Sequence, residues 1–131
     1  MKILAPLDPD TLQGIREVLV DVLSVDMDEL ASQESNFYFD LGGESIDSLD
    51  LNFHIEKRWG IKLAAKSLAD RIATFSVNEP IDVVNAALRS EFPDAIGIQL
   101  ETADLANTKR LMTVGFIVYL VDCERARQKA A

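Results

Sequence analysis

The 131-residue sequence has one cysteine, Cys123, and one histidine, His54. A lone cysteine excludes an internal disulfide. With neither residue clustered among other ligands, no metal site is expected. Long apolar runs are missing too: Val114 to Val121 is the longest, far short of the ~20 residues that span a bilayer. Ile3-Leu4-Ala5-Pro6 is too short to be the apolar core of a signal peptide. A cytoplasmic protein with no membrane span is therefore expected. Basic residues are scarce in the first half. Residues 1–56 carry 13 Asp/Glu against Lys2 and Arg16 alone, whereas residues 57–131 carry nine against eleven. An acidic face repels nucleic acid and anionic membranes, so neither is an expected partner. It would attract proteins with basic docking patches and speed their encounter. Plain solubility would account for the same charge.

Apolar residues make up 48% of the chain, which argues against disorder. The length suits a single domain, 1–131. Asp8-Pro9-Asp10-Thr11 reads as a helix start, with Asp8 as N-cap and Pro9 at the first helical position. Leu12, Ile15, Leu19, Val22 and Leu23 follow on one face, widened by Val18, and predict a helix at roughly 9–24. Residues 26–44 lack a sustained period. Met27-Asp28-Glu29-Leu30 suits a single helical turn, and Phe37, Phe39 and Leu41 would pin this long loop onto the helices.

The chain is organised around Asp40-Leu41-Gly42-Gly43-Glu44-Ser45-Ile46-Asp47-Ser48-Leu49. Two glycines end a loop, a serine follows, and a helical pattern runs to Trp59-Gly60. Leu51, Ile55 and Trp59 are spaced by four and predict a buried row, with Leu49 beside it. Lys57 and Arg58 suit the last turn, and Gly60 the C-cap.

Further helical material follows at 64–93. Leu68, Ile72 and Phe75 make a short stripe. Pro80 opens a helix whose inner face is expected to hold Val83, Val84, Ala87 and Leu88, and Phe92-Pro93 ends it. Glu101 to Asn107 suits a short helix. Thr113 can cap a last helix that turns Phe116, Ile117, Leu120 and Val121 inward. The expectation is a small all-α bundle of four or more helices with no clear strand.

Taken alone, a serine after glycine at a helix start is an N-cap. The glycine pair is no phosphate cradle, lacking the spacing and lysine of a P-loop. His54, nine residues after Ser45, falls on the opposite side of an ideal helix and reads as a surface or interface residue. Cys123 lies between Asp122 and Glu124 with no cation to activate it, so packing is expected there. No catalytic constellation accompanies Ser45, and no catalytic residue is assigned.

Residues 40–51, Asp-Leu-Gly-Gly-Glu-Ser-Ile-Asp-Ser-Leu-Asp-Leu, then Ile55-Glu56 and Trp59-Gly60-Ile61-Lys62-Leu63, resemble the acyl carrier protein family. The order of flanking elements agrees, down to a final helix beginning Thr113-Val114. The resemblance covers about 1–63 and 101–122. It leaves out 64–100, where the family usually has only a few residues. It implies an acyl-carrier-like bundle with an extra helical insertion. It also implies a 4′-phosphopantetheine arm on Ser45, transferred from coenzyme A by a phosphopantetheinyl transferase. The arm's thiol, not Cys123, would hold an acyl group as a thioester.

Beside that resemblance, simple physics suits the site. A phosphodiester on Ser45 would meet free N–H groups and the positive end of the helix dipole, next to Gly43 and Glu44. Gly42 and Gly43 would let the backbone turn sharply and a transferase approach closely. Asp47 and Asp50 are read as exposed, where they would meet a basic partner. By resemblance Ile46 and Phe53 face partners as apolar grips within an acidic rim.

Two departures bear on function. The Phe39 to Gly43 run leans toward peptidyl carriers, whereas Glu44 and the acidic helix lean toward free-standing acyl carriers. Asn52 stands where the family often has an aliphatic. The leading expectation is a non-enzymatic acyl carrier in fatty acid, polyketide or related synthesis, served by loading and processing enzymes with basic docking patches. The alternatives are an aminoacyl or peptidyl carrier, or an unmodified interaction module of the same fold. The segment at 64–100 is either a docking element for a dedicated partner or an enlargement of the bundle.

Overall fold

The computed structural model describes residues 1–30, 32–63 and 65–130; Ala31, Ala64 and Ala131 lie outside them. Within them are the helices α1 (Pro9–Leu23), α2 (Ser45–Trp59), α3 (Ala65–Ile72), α4 (Ile81–Glu91), α5 (Thr102–Ala106) and α6 (Val114–Ala130). The two-residue strands β1 (Lys2–Ile3) and β2 (Ile98–Gln99) complete the elements, with short 3-10 turns at 27–30, 93–97 and 108–111. The fold is a small helical bundle of the expected kind. The chain divides into two compact units, one of Leu7–Leu63 with Met112–Ala131, the other of Met1–Pro6 with Ala64–Leu111. The segment read as inserted, 64–100, thus falls in a unit that runs on to Leu111 and takes in the first six residues.

In the first unit, α1 packs against both α2 and α6. Asp8 caps α1 by accepting the Asp10 N–H at 2.8 Å, and Pro9 sits at the first helical position. Ile15, Val18 and Leu19 are buried from α1, Leu51 and Ile55 from α2, and Val114, Ile117, Val118 and Val121 from α6. Trp59 is half-buried against this core. Arg125 lies over its indole and donates to the Thr11 hydroxyl at 2.7 Å. Thr113 caps α6 through Phe116 N–H. Gly60, at φ +69°, closes α2, where the Gln128 amide donates to the Trp59 and Gly60 carbonyls at 3.1 Å each. Cys123 is half-buried.

In the second unit, β1 and β2 pair antiparallel, Lys2 with Gln99 and Ile3 with Ile98. No strand was expected; a two-residue ladder between distant segments leaves no periodicity to read. Asn85 stitches α4 to this ladder, accepting Leu100 N–H at 2.9 Å and donating to the Leu100 carbonyl at 3.2 Å. Arg71 of α3 grips Glu91 of α4 through two bonds, at 2.7 and 3.0 Å. Leu68, Ile72, Val84 and Leu88 are buried as expected. Val83 is not: it is 58% exposed. Consecutive helical residues rotate by about 100°, so with Val84 and Leu88 inward the next inner position falls to polar Asn85, and Val83 turns out.

Candidate functional site

The site is built by a loop held before it and a helix capped beneath it. In the loop, Asn36 is a buried polar residue. Its side-chain carbonyl accepts the N–H groups of Tyr38 at 2.8 Å and Phe39 at 3.1 Å. Its backbone N–H donates to the Asp40 carboxylate at 2.7 Å, while its own carbonyl accepts from Asp40 and Leu41, both at 3.0 Å. The stretch 33–37 runs alongside the start of α6. Phe37 N–H donates to the Met112 carbonyl at 2.7 Å, and the Ser35 carbonyl accepts from Val114 at 2.9 Å.

Phe37 and Leu41 are buried and pin the loop, as the sequence suggested; Phe39 does not, being 56% exposed. The Asn36 turn brings the chain round within these few residues, and the intervening side chain faces water. The Phe37 carbonyl accepts from Gly43 at 2.8 Å. Gly42 sits at φ +73° with open space where a β-carbon would be, whereas Gly43 is crowded by the Phe37 ring. The two glycines answer different needs, left-handed backbone at Gly42 and close internal packing at Gly43.

Ser45 is the first residue of α2 and is exposed. It is not the N-cap. Glu44 holds that position, and Glu44 and Asp47 form a reciprocal capping box in which Asp47 Oδ2 accepts Glu44 N–H at 2.8 Å. The Ser45 hydroxyl makes no hydrogen bond among the described residues; the Ser45 carbonyl accepts from the Ser48 hydroxyl at 2.7 Å. The helix's own ladder leaves the first-turn N–H groups unused. An exposed hydroxyl free of capping work, at the positive end of a 15-residue helix, fits a covalently attached phosphodiester.

The outer face of α2 is apolar at its centre. Ile46 is 71% exposed and Phe53 61%, as the resemblance implied. Between them stands Leu49, 70% exposed, which the sequence reading had placed beside the buried row. At 100° per residue, Leu49 lies within about 60° of Ile46 but about 160° from Leu51, counted round the wheel. Counting from Ile46 would have found it. Asp50 is exposed; Asp47, expected to be so, is half-buried by its part in the cap. His54 is half-exposed, with Nδ1 2.8 Å from the Asp50 carbonyl and its ring edge-on to Phe53. Among the described residues no group of three or more His, Cys, Asp or Glu could hold a metal ion. No helix there is long and apolar enough to cross a membrane.

Residues 13–76 match a family model described as the phosphopantetheine attachment site. That match takes in most of α1, the loop, α2 and α3, and so continues past Leu63 into the segment read as inserted. It defines the class, a carrier that bears a covalent 4′-phosphopantetheine. An acyl carrier protein of Picosynechococcus sp. is 31% identical over 78 residues, covering 60% of this chain and 91% of that protein. The chain belongs to the acyl carrier protein family. No solved structure matches it.

Proposed function

We propose that Ser45 takes the 4′-phosphopantetheine arm and that the chain shuttles acyl intermediates on it as thioesters, in fatty acid, polyketide or related synthesis. The observation that supports this best is the division of labour at the start of α2. Glu44 and Asp47 do the capping, and the Ser45 hydroxyl stays exposed and unbonded. A transferase then needs to break no hydrogen bond of the Ser45 hydroxyl. Gly43 and Glu44 flank the attachment point. The chain does no chemistry itself; it orients the serine and presents a surface.

In this reading Ile46, Leu49 and Phe53 are the apolar grips for the enzymes that load and process the cargo. Asp50 steers basic docking patches from the rim, and Asp47 contributes charge from its capping position. Residues 1–131 are read as one cytoplasmic carrier, with the segment at about 64–100 inserted between α2 and the C-terminal helices. The acyl carrier of Picosynechococcus sp. supports acyl over aminoacyl cargo.

Incubating the purified chain with coenzyme A and a broad-specificity phosphopantetheinyl transferase, then reading the intact mass, tests the assignment. One added phosphopantetheine is expected, absent in Ser45→Ala. No addition under conditions that load a control carrier would sink the reading.

A further inference from the structure

We propose that Asn36 is a positioning residue for the loading reaction. Its side-chain carbonyl holds the turn that aims Gly42 to Ser45 at the transferase. The proposal rests on attachment at Ser45.

Asn36 stands nine residues before Ser45 and does not act on it directly. It sits between a fixed point and the site. On one side, the Ser35 carbonyl and Phe37 N–H are bonded to Val114 and Met112, at the start of α6. On the other, the Phe37 carbonyl holds Gly43, two residues before Ser45. Between these, Asn36 Oδ1 accepts two consecutive N–H groups, and Asn36 and Asp40 exchange backbone and carboxylate bonds. Such an Asx turn needs an acceptor on a side chain of this length.

A purely structural role would make a different prediction. The core of this unit is Ile15, Leu19, Phe37, Leu51, Ile55 and Ile117, all essentially buried. The bonds to Asn36 Oδ1 come from Tyr38 and Phe39, neither of which is among these six. Phe39, Asp40 and Gly42 lie at the surface. Removing the acceptor leaves the Tyr38 and Phe39 N–H groups without their partner and frees a surface turn, while the helices stay packed. A turn that spends only part of its time in the competent arrangement weakens apparent binding by that fraction. KM for the carrier then rises and kcat does not fall.

The test is the steady-state kinetics of loading with coenzyme A and a phosphopantetheinyl transferase, on wild type, Asn36→Ala, Asn36→Gln and Asn36→Asp. Asn36→Ala and Asn36→Gln are expected to raise KM by roughly tenfold, about 1.4 kcal/mol, with kcat unchanged. Gln retains the amide but moves the acceptor by one methylene, so it covers the event that Ala fails to fold. Asp retains the acceptor at the right distance but faces the Asp40 carboxylate, so it is read in an Asp40→Asn background, where it is expected to keep the KM of Asp40→Asn alone. Amide exchange at Tyr38 and Phe39 should quicken in Asn36→Gln alongside the rise in KM. A wild-type KM in both Ala and Gln overturns the proposal. So does a wild-type KM with an incomplete loading end point, the mark of partial unfolding. Failure of wild type to load beside a control carrier overturns the attachment reading itself, whatever the Asn36 variants do.

Discussion

The β-carbon that Gly43 lacks would lie 2.4 Å from Cε1 of Phe37, a ring that is completely buried. The ring has no room to withdraw without disturbing its neighbours. Gly43→Ala is therefore expected to cost about 1–3 kcal/mol through overpacking. Gly42→Ala meets no atom but must hold φ +73°, at about 1–2 kcal/mol. Urea unfolding separates the two causes: Phe37→Leu should soften the cost of Gly43→Ala and leave that of Gly42→Ala unchanged. Equal coupling to both would contradict this account.

Leu49 and Leu51 are two residues apart and face opposite ways, 70% and 1% exposed. Leu51→Ala is expected to lose about 2–5 kcal/mol of stability. Leu49→Ala should stay within about 0.5 kcal/mol of wild type, yet, on the docking role proposed for the outer face of α2, slow turnover by processing enzymes. Denaturant midpoints and processing assays on the two variants check both halves of the claim.

These residues also show what could be read from the chain. The caps at Asp8, Gly60 and Thr113, and the buried spacing of Leu51 and Ile55, are local rules, so α1, α2 and α6 were legible. Ser45 was legible as a motif. Its freedom from capping was not, because capping by Glu44 and Asp47 depends on backbone geometry. Phe39 and Val83 were misplaced because apolar character was taken for burial where the chain turns them outward. The β1–β2 pair and the Asn36 turn depend on segments distant in sequence or on loop geometry, which no periodicity announces.

The two bonds from the Arg71 guanidinium hold the Glu91 carboxyl below its ordinary range, and the carboxylate in turn raises Arg71. For a depressed carboxyl, the stabilisation is fully present above the unfolded value of about 4.3. It is lost as pH falls through the lower folded value. Carboxyl NMR should place the Glu91 midpoint below that of an unpaired glutamate and return it upward in Arg71→Ala. The stability gap between wild type and Glu91→Gln should close over the same acid range.

Gln128 of α6 donates to the last carbonyls of α2, those of Trp59 and Gly60. Gln128→Ala is expected to fray the final turn of α2 at a cost of about 0.5–1 kcal/mol, the low end for an exposed hydrogen bond. Hydrogen exchange should quicken at Arg58, Trp59 and Gly60 while the amides of Leu51 and Ile55 stay protected. Uniform acceleration along α2 would contradict so local a role.

The capping box at the head of α2 has one more consequence. Because Glu44 and Asp47 close that end of the helix, the Ser45 oxygen is a spectator to folding. Bare and Ser45→Ala forms of the chain should then unfold alike, and any gain on loading would come from the phosphate charge at the helix end. A group attached at such a spectator atom can be added or removed without undoing any bond that holds the helix start.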